Sequence, residues 1–310
     1  MRSHRARPAM SGLAWRRARW GYVFIAPWIV GFLAFTLIPM IATLAFTFTN
    51  INLAQEIPLR FVGLRNYENL IGDRQTWEAL GVTFKFALVA LPVAVLLPFA
   101  VALLLNSRNL RGASAFRVLF FLPYVVPFVA GILIWQGILG TDSGWLNVLL
   151  RAIGIEDPPA WLEDPGWIYP GLVIMGVWGI GGGMIVYLAG LKAIPTDLYD
   201  AARIDGAGPW ATLRLITVPM MSPVIFYTLV LAIVEVLQYF LVPLVLNNGN
   251  GQPAGSTFFF NIYVYKNFFS FQNMSYGATL AWLLFGITLL ITLILFRTSR
   301  RWVYYAGEAR

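Results

Sequence analysis

Residues 198–207 read Leu198-Tyr199-Asp200-Ala201-Ala202-Arg203-Ile204-Asp205-Gly206-Ala207, a polar and charged segment between two long apolar stretches. A loop that only joined two membrane spans could be shorter and would not need this composition. Thr196 is a candidate N-cap residue, and Gly206 is the kind of residue that ends a helix. Pro209 suits the first position of a second helix. The sequence therefore predicts two short helices that meet at a glycine bend on a membrane surface, which indicates a docking element.

The composition indicates that lipid is the main solvent of the chain. Of its 310 residues, 59% are hydrophobic and 12% are charged, whereas soluble domains carry about 25% charged residues. The net charge of +8 does not indicate nucleic-acid binding, because the basic residues cluster at the ends of apolar runs. The chain has no cysteine, and its single histidine is His4. We therefore expect no thiol chemistry, no histidine-based metal site and no catalytic triad.

Six apolar segments are long enough to cross a hydrocarbon core, which takes about 20 helical residues. They cover approximately residues 20–47, 82–105, 116–139, 167–190, 218–246 and 275–297. The predicted fold class is an all-α membrane protein with one domain over 20–297, a basic tail over 1–19 and a short tail over 298–310. The first segment is too long for a signal peptide and is interpreted as a retained span.

The basic residues predict the orientation of the spans. Sixteen Lys and Arg residues lie in the two tails, at Arg297 beside the second tail, and in the loops 106–117 and 191–217, and five lie in the opposite loops. Cytoplasmic loops carry the excess of basic residues in membrane proteins. Both termini and the segment 191–217 are therefore predicted to be cytoplasmic.

Glu235 is the most unusual residue of the spans, because it lies near the middle of the fifth one. A charge at that depth costs about 2.5 kcal/mol or more, so the residue is expected to face a bundle interior or a water-filled cavity. Gln238 and Tyr239 follow at helical spacing on the same predicted face, and Asn247 extends the polar character outward. These four residues are the candidate substrate pathway. A structural interhelical hydrogen bond from Glu235 is the alternative.

Glycines and prolines interrupt several spans. Gly181-Gly182-Gly183 in the fourth span permits either close helix packing or a local break. Six prolines are each expected to perturb a span, namely Pro27, Pro39, Pro92, Pro98, Pro123 and Pro127.

The chain carries no recognisable energy source. It contains no phosphate-binding loop of the pattern G-x-x-x-x-G-K-S/T, and Glu235 stands almost alone as an intramembrane carboxylate. Active transport would then need a separate ATPase subunit, to which the segment 191–217 could dock. Two alternatives stay open on the residues alone: an ion-coupled secondary transporter that uses Glu235, and a membrane scaffold without a pathway.

The docking segment resembles the pattern E-A-A, three residues, G, nine residues, I-x-L-P of the permease subunits of binding-protein-dependent ABC importers. Asp200-Ala201-Ala202 corresponds to E-A-A, Gly206 to the glycine, and Ile216-Thr217-Val218-Pro219 to the last part, with the same spacing throughout. Asp replaces Glu and Val replaces Leu. Weaker patterns resemble the carbohydrate branch of that family: Phe61-Val62-Gly63-Leu64-Arg65-Asn66-Tyr67, Gly144-Trp145-Leu146-Asn147, Asn248-Gly249-Asn250-Gly251-Gln252-Pro253 and Tyr276-Gly277-Ala278.

The resemblance implies a type I ABC importer permease fold with a cytoplasmic coupling helix. It implies a permease subunit that carries a sugar or sugar derivative across the bacterial inner membrane. Glycerol phosphate, maltose-like oligosaccharides and monosaccharides stay open as substrates. The residues that would contact the ATPase are Asp200, Ala201, Ala202, Gly206 and Pro219.

The same resemblance implies the partners. They are a second permease subunit, forming a heterodimer, two ATPase subunits, an extracytoplasmic binding protein and the membrane lipid. The chain itself is expected to bind no cofactor and to catalyse no covalent reaction, while ATP and Mg²⁺ bind to the ATPases. Gly206→Asp is expected to abolish transport and to leave membrane insertion intact.

Overall fold

The computed structural model describes residues 12–54, 58–107 and 110–304. Most of the predicted N-terminal tail, the end of the C-terminal tail and the basic residue Arg108 lie outside these ranges. Within them, four helical runs are long and apolar enough to cross a membrane, and two bent helix pairs bring the number to six. The prediction of an all-α membrane protein with about six spans is confirmed.

The described part of the chain contains fifteen α-helices. The first half comprises α1 (Gly12–Phe32), α2 (Ile38–Phe46), α3 (Arg65–Gly72), α4 (Arg74–Leu105), α5 (Ala113–Phe121), α6 (Phe128–Ile138), α7 (Trp145–Ala152) and α8 (Ile168–Val177). The second half comprises α9 (Gly181–Ala193), α10 (Thr196–Ile204), α11 (Pro209–Thr212), α12 (Val218–Leu237), α13 (Leu241–Asn247), α14 (Phe260–Tyr265) and α15 (Met274–Trp302).

The spans differ from the predicted ones in length and in shape. The second begins at Arg74, eight residues before the predicted start. The third and fourth are bent by 103° and 56°. The fifth extends back to Pro209, because α11 continues through a π-helical turn, Leu213–Thr217, directly into α12. The prediction of a separate second short helix is therefore wrong.

Two π-helical turns lie directly before prolines in the spans. Leu33–Leu37 precedes Pro39 at the start of α2, and Leu213–Thr217 precedes Pro219 at the start of α12. Proline has no N–H group, and its ring clashes with the carbonyl four residues earlier in a regular helix. The wider π-turn moves that carbonyl away. The helix can therefore continue past each proline.

The other predicted perturbations divide into two groups. Pro123 and Pro127 lie at the sharp bend of the third span. Pro27, Pro92 and Pro98 lie inside unbroken helices. Only the first group breaks a span, because a continuous helix keeps the remaining backbone groups paired where lipid offers no partner.

The long helix α4 is the centre of the bundle. It packs against α8, α9, α12 and α14. Its buried positions include Thr83, Phe86 and Ala90, and the Thr83 hydroxyl accepts a hydrogen bond of 2.9 Å from the Phe260 N–H. Helix α4 also contributes to the wall of the first of the two cavities described below.

Two of the weaker sequence patterns supply asparagines that fix loops. The Asn66 side chain donates to the carbonyls of Thr47 and Thr49 at 2.8 and 2.9 Å. The fully buried Asn147 accepts a 2.7 Å hydrogen bond from the indole of Trp161. Both amides therefore satisfy buried polar groups where the chain leaves a span.

Asp73 joins three helices at the predicted outer end. One carboxylate oxygen caps α4 by accepting from the Gln75 N–H at 3.0 Å. The other accepts from the hydroxyls of Tyr276, Thr76 and Tyr263 at 2.6, 2.7 and 2.7 Å. Burial raises the pKa of Asp73, but these hydrogen bonds, that from Tyr276 first, lower it, and the net shift is downward.

Asp73→Asn is expected to reduce the free energy of unfolding by about 2 kcal/mol, since the amide keeps the cap but loses the charge-assisted bonds. A lowered folded-state pKa stabilises the protein above the pKa of the unfolded carboxyl, and this contribution is lost as the pH falls through the folded-state pKa. Thermal unfolding of the chain in nanodiscs at neutral and acidic pH should show the difference between wild type and variant shrinking on acidification.

The control is the same substitution at Asp157, which is exposed. Equal thermal stabilities of Asp73→Asn and Asp157→Asn at neutral pH would contradict the role assigned to the network.

Candidate functional site

The docking segment forms α10, which begins at Thr196. Pro195 takes the cap position with φ −58° and ψ 131°, and no side chain caps the helix. The prediction of Thr196 as the N-cap is therefore wrong by one residue, because the proline already supplies the extended turn into the helix.

The end of α10 at Gly206 is as predicted. Gly206 has φ +75°, a conformation that favours glycine. Its N–H donates to the Arg203 carbonyl at 3.2 Å, and the Ala207 N–H donates to the Ala202 carbonyl at 2.9 Å. This is the Schellman pattern, which pairs the last free carbonyls of a helix.

The motif residues of α10 divide between an exposed and a buried face. Asp200 and Ala201 are exposed, while Ala202 is buried. The Asp200 carboxylate forms an ion pair with the Arg203 guanidinium one turn later. Exposed pairs contribute about 0–1 kcal/mol, so either partner can exchange it for a group on another protein.

Large apolar side chains near α10 are also exposed. The exposed fractions are 87% for Ile204, 74% for Trp210 and 71% for Leu215. Side chains of this kind next to an exposed carboxylate are typical of a contact surface. Pro219, by contrast, is half-buried at the start of α12.

Tyr199 attaches α10 to the membrane domain. Its ring packs against a buried cluster that includes Leu191, Ile194 and Met221. Its hydroxyl lies 3.2 Å from the hydroxyl of Thr217, at the base of the fifth span. These two contacts hold α10 against the fifth span.

Two adjoining cavities lie between the spans, with volumes of about 520 and 630 Å³. Pockets for small molecules typically measure about 300–1,000 Å³. The first cavity lies among α4, α8, α9 and α12, and the second lies at the bend of the third span. Both are lined by Tyr124, Gly176, Gly179, Glu235 and Tyr239.

Glu235 faces this space, as its depth in the span predicts, and its side chain is exposed in the single chain. Tyr239 packs its ring against Phe86 and Phe259, with centroid distances of 4.7 and 5.2 Å. The structure thus brings two of the four predicted pathway residues together.

The other two predicted pathway residues lie elsewhere. Gln238 is exposed and lines neither cavity, because α12 ends at Leu237 and the predicted common helical face does not exist. Pro243 lies in the first turn of the next helix, α13, where the interruption keeps its ring clear of the Tyr239 carbonyl. Asn247 instead donates to the Gln252 carbonyl at 2.7 Å and holds the following loop.

The glycine triplet Gly181-Gly182-Gly183 permits both close helix packing and the bend of the fourth span. The fourth span bends before Gly181, where a Cβ atom would lie 2.2 Å from the Phe120 carbonyl oxygen. At Gly182 a Cβ atom would lie 2.5 Å from the Tyr124 hydroxyl. The second glycine therefore leaves room for a tyrosine that lines both cavities.

Sequence reasoning missed several polar groups of the cavity walls. Tyr227 and Thr228 line the first cavity, and the Thr228 hydroxyl lies 2.5 Å from that of Tyr187. Thr228 precedes Glu235 by seven residues, which is two helical turns, so the helical period could have indicated that both residues lie on one face of α12. Within the described ranges, no cluster of three His, Cys, Asp or Glu side chains is placed to hold a metal ion.

The chain matches a known family over most of its length. Residues 74–306 match the family described as the binding-protein-dependent transport system inner membrane component. The chain is 36% identical to a probable ABC transporter permease protein, YesP, of Bacillus subtilis, with 93% of each chain covered. It is 32% identical to the lactose transport system permease protein LacF of Rhizobium radiobacter, covering 90% of this chain and 94% of the relative.

A third relative and a solved structure point to the same family. The chain is 31% identical to the trehalose/maltose transport system permease protein MalF of Thermococcus litoralis, covering 94% and 97% of the two chains. Its fold matches a chain in the crystal structure of a bacterial ABC transporter that imports the acidic polysaccharide alginate, with a TM-score of 0.79 and 25% identity. That match covers 92% of this chain and 96% of the other. The chain therefore belongs to the family of inner-membrane components of binding-protein-dependent transport systems.

Proposed function

We propose that this chain is the permease subunit of an ATP-driven ABC importer that carries a carbohydrate across the bacterial inner membrane. Family membership supports the permease role. The relatives named for lactose and for trehalose and maltose transport, together with the alginate importer of similar fold, support the carbohydrate.

The observation that carries the proposal is the connection between the docking segment and the cavity. Helix α10 presents Asp200 and Ala201 to solvent and contacts the base of the fifth span through Tyr199. The same span leads from Pro209 through α12 to Glu235 in the cavity wall. A partner that moves α10 would therefore move one wall of the cavity.

The mechanism follows from this connection. Closure of two ATPase subunits on ATP and Mg²⁺ would displace α10, which is cytoplasmic in the proposed orientation, as are both termini. The contact would use Asp200, Ala201, Ala202 and Gly206, with Pro219 at the start of the span. The displaced spans would open the cavity alternately to the two sides of the membrane. The chain itself binds no nucleotide in this mechanism and catalyses no covalent reaction.

Two further partners complete the proposed transporter. A second permease subunit, different from this one, would close the open side of the cavities. A periplasmic binding protein would deliver the substrate. Support for the latter comes from the alginate transporter of similar fold, whose crystal structure contains an alginate pentasaccharide-bound periplasmic protein.

Reconstitution tests the proposal. The chain, the second permease, the ATPase and the binding protein are assembled in proteoliposomes, and the uptake of a panel of radiolabelled sugars is measured. We expect uptake of at least one sugar that requires both ATP and the binding protein. Uptake by the chain alone, driven by an ion gradient without ATP, would contradict the proposal.

A further inference from the structure

The charge of the cavity walls is restricted to one residue. Among the described residues that line the two cavities, Glu235 alone carries a formal charge, and no Lys or Arg is present. The remaining walls are apolar side chains, glycines, tyrosines and Thr228. An anion that entered this space would therefore meet a carboxylate on this chain without a basic group to neutralise it.

A carboxylate in such a space discriminates by charge. It accepts strong hydrogen bonds from the hydroxyls of a neutral sugar. It repels a second carboxylate or a phosphate, and this repulsion grows where low-dielectric walls exclude water. An unpaired like charge is an effective way to reject an unwanted ligand of similar shape.

The neighbouring side chains suit a neutral sugar. Tyr124, Tyr227 and Tyr239 offer hydroxyl groups and ring faces around Glu235. The hydroxyls of Tyr187 and Thr228 are already paired at 2.5 Å, so this part of the wall is fixed before a substrate arrives. A pyranose ring presents both C–H faces and hydroxyls, which match this mixture of aromatic surface and oxygen acceptors.

We propose that Glu235 makes this permease selective for uncharged, hydroxyl-rich sugars and rejects acidic ones, such as uronates and sugar phosphates. The inference rests on the proposed function and adds the substrate class. It separates this chain from the alginate importer of similar fold, which carries an acidic polysaccharide. It also disfavours glycerol phosphate among the substrates that the sequence leaves open.

The test measures binding to the membrane complex without the binding protein, whose own selectivity would otherwise dominate. The two permease subunits and the ATPases are placed in nanodiscs. Isothermal calorimetry then compares three neutral trisaccharides, maltotriose, cellotriose and mannotriose, with trigalacturonate, trimannuronate and triguluronate. Glu235→Gln removes the charge at constant shape. The matched control is Glu78→Gln, at an exposed carboxylate that pairs with Arg74 outside the cavities.

We expect the wild-type complex to bind at least one neutral trisaccharide about tenfold or more tightly than any uronate, from the repulsion of two carboxylates. In Glu235→Gln this ratio should fall to about threefold or less, through tighter uronate binding and the loss of one charge-assisted bond to the neutral sugar. In Glu78→Gln the ratio should stay at the wild-type value.

The inference is overturned if a uronate binds the wild-type complex as tightly as the neutral sugars, or if Glu235→Gln leaves the ratio unchanged. It is also overturned if none of the six trisaccharides binds, because the cavity then does not recognise sugars. The proposed function is tested separately by ATP-dependent uptake with the binding protein present. ATP-dependent uptake by a complex whose cavity does not discriminate neutral sugars from uronates would therefore contradict only this inference and not the proposed function.

Discussion

Gly206→Asp is expected to abolish ATP-dependent uptake while the chain stays folded and inserted. Gly206 has φ +75°, which Asp tolerates better than most residues, and a Cβ atom there meets nothing within 4 Å in this chain. Within the chain itself, the substitution is therefore expected to cause little steric clash or backbone strain. An added carboxylate in the contact with an ATPase would, in contrast, leave an unpaired charge in an interface.

We expect uptake in proteoliposomes to fall to background, a loss of about tenfold or more, equivalent to about 1.4 kcal/mol of lost contact or more. Copurification of the ATPase and substrate-stimulated ATP hydrolysis should fall with it, while thermal unfolding of the chain is unchanged. The matched control is Gly208→Asp. Gly208 has an ordinary φ of −71°, also has open space at its Cβ position, and precedes α11 where Asp is a favoured cap.

The control adds the same charge two residues away, so it separates a specific contact from a general effect of charge. Normal coupling in Gly206→Asp would refute the docking role of this glycine. Equal loss of coupling in both variants would refute its specificity.

Gly181→Ala is expected to prevent correct packing of the fourth span against the third. The added methyl group would lie 2.2 Å from the carbonyl oxygen of Phe120 and 3.1 Å from the Cα atom of Phe121. Both are backbone atoms, so no flexible side chain can move aside. Overpacking usually costs about 1–3 kcal/mol, and we expect a value near or above 3 kcal/mol because two helices must separate.

The expected result is a large loss of folded protein after detergent extraction, measured by size-exclusion chromatography and thermal unfolding. Gly137→Ala is the control, since Gly137 lies in α6 with nothing within 4 Å of the added atom. That substitution should be neutral or slightly stabilising, because alanine favours a helix over glycine. A Gly181→Ala chain as stable as Gly137→Ala would contradict the close backbone contact.

The features that the sequence predicts well are those with a local cause. Helix α10 ends at Gly206 because a residue in the left-handed conformation terminates a helix. The glycine and the helix that it ends lie in one short segment of the sequence. The spans follow from apolar length alone. The mid-span position of Glu235 predicts that its side chain faces a bundle interior or a water-filled cavity, and Glu235 does line a cavity.

The features that the sequence could not predict depend on distant residues. Asp73 accepts hydrogen bonds from Tyr263 and Tyr276, each about two hundred positions later in the chain, and no periodic pattern reveals such partners. The grouping of Gln238 with Glu235 failed because the helical period was extended past Leu237, where α12 ends.

The continuous passage from α11 through the π-turn into α12 has a mechanical consequence. The π-turn that ends at Thr217 lies eighteen residues before Glu235, a distance of about 27 Å along a helix. In the proposed mechanism the span acts as a lever whose short arm carries the contact with the ATPase. A tilt of about 10° at the turn displaces Glu235 by about 5 Å. In the proposed orientation, a small rotation on the cytoplasmic side would move Glu235 by a distance comparable with the width of a sugar ring.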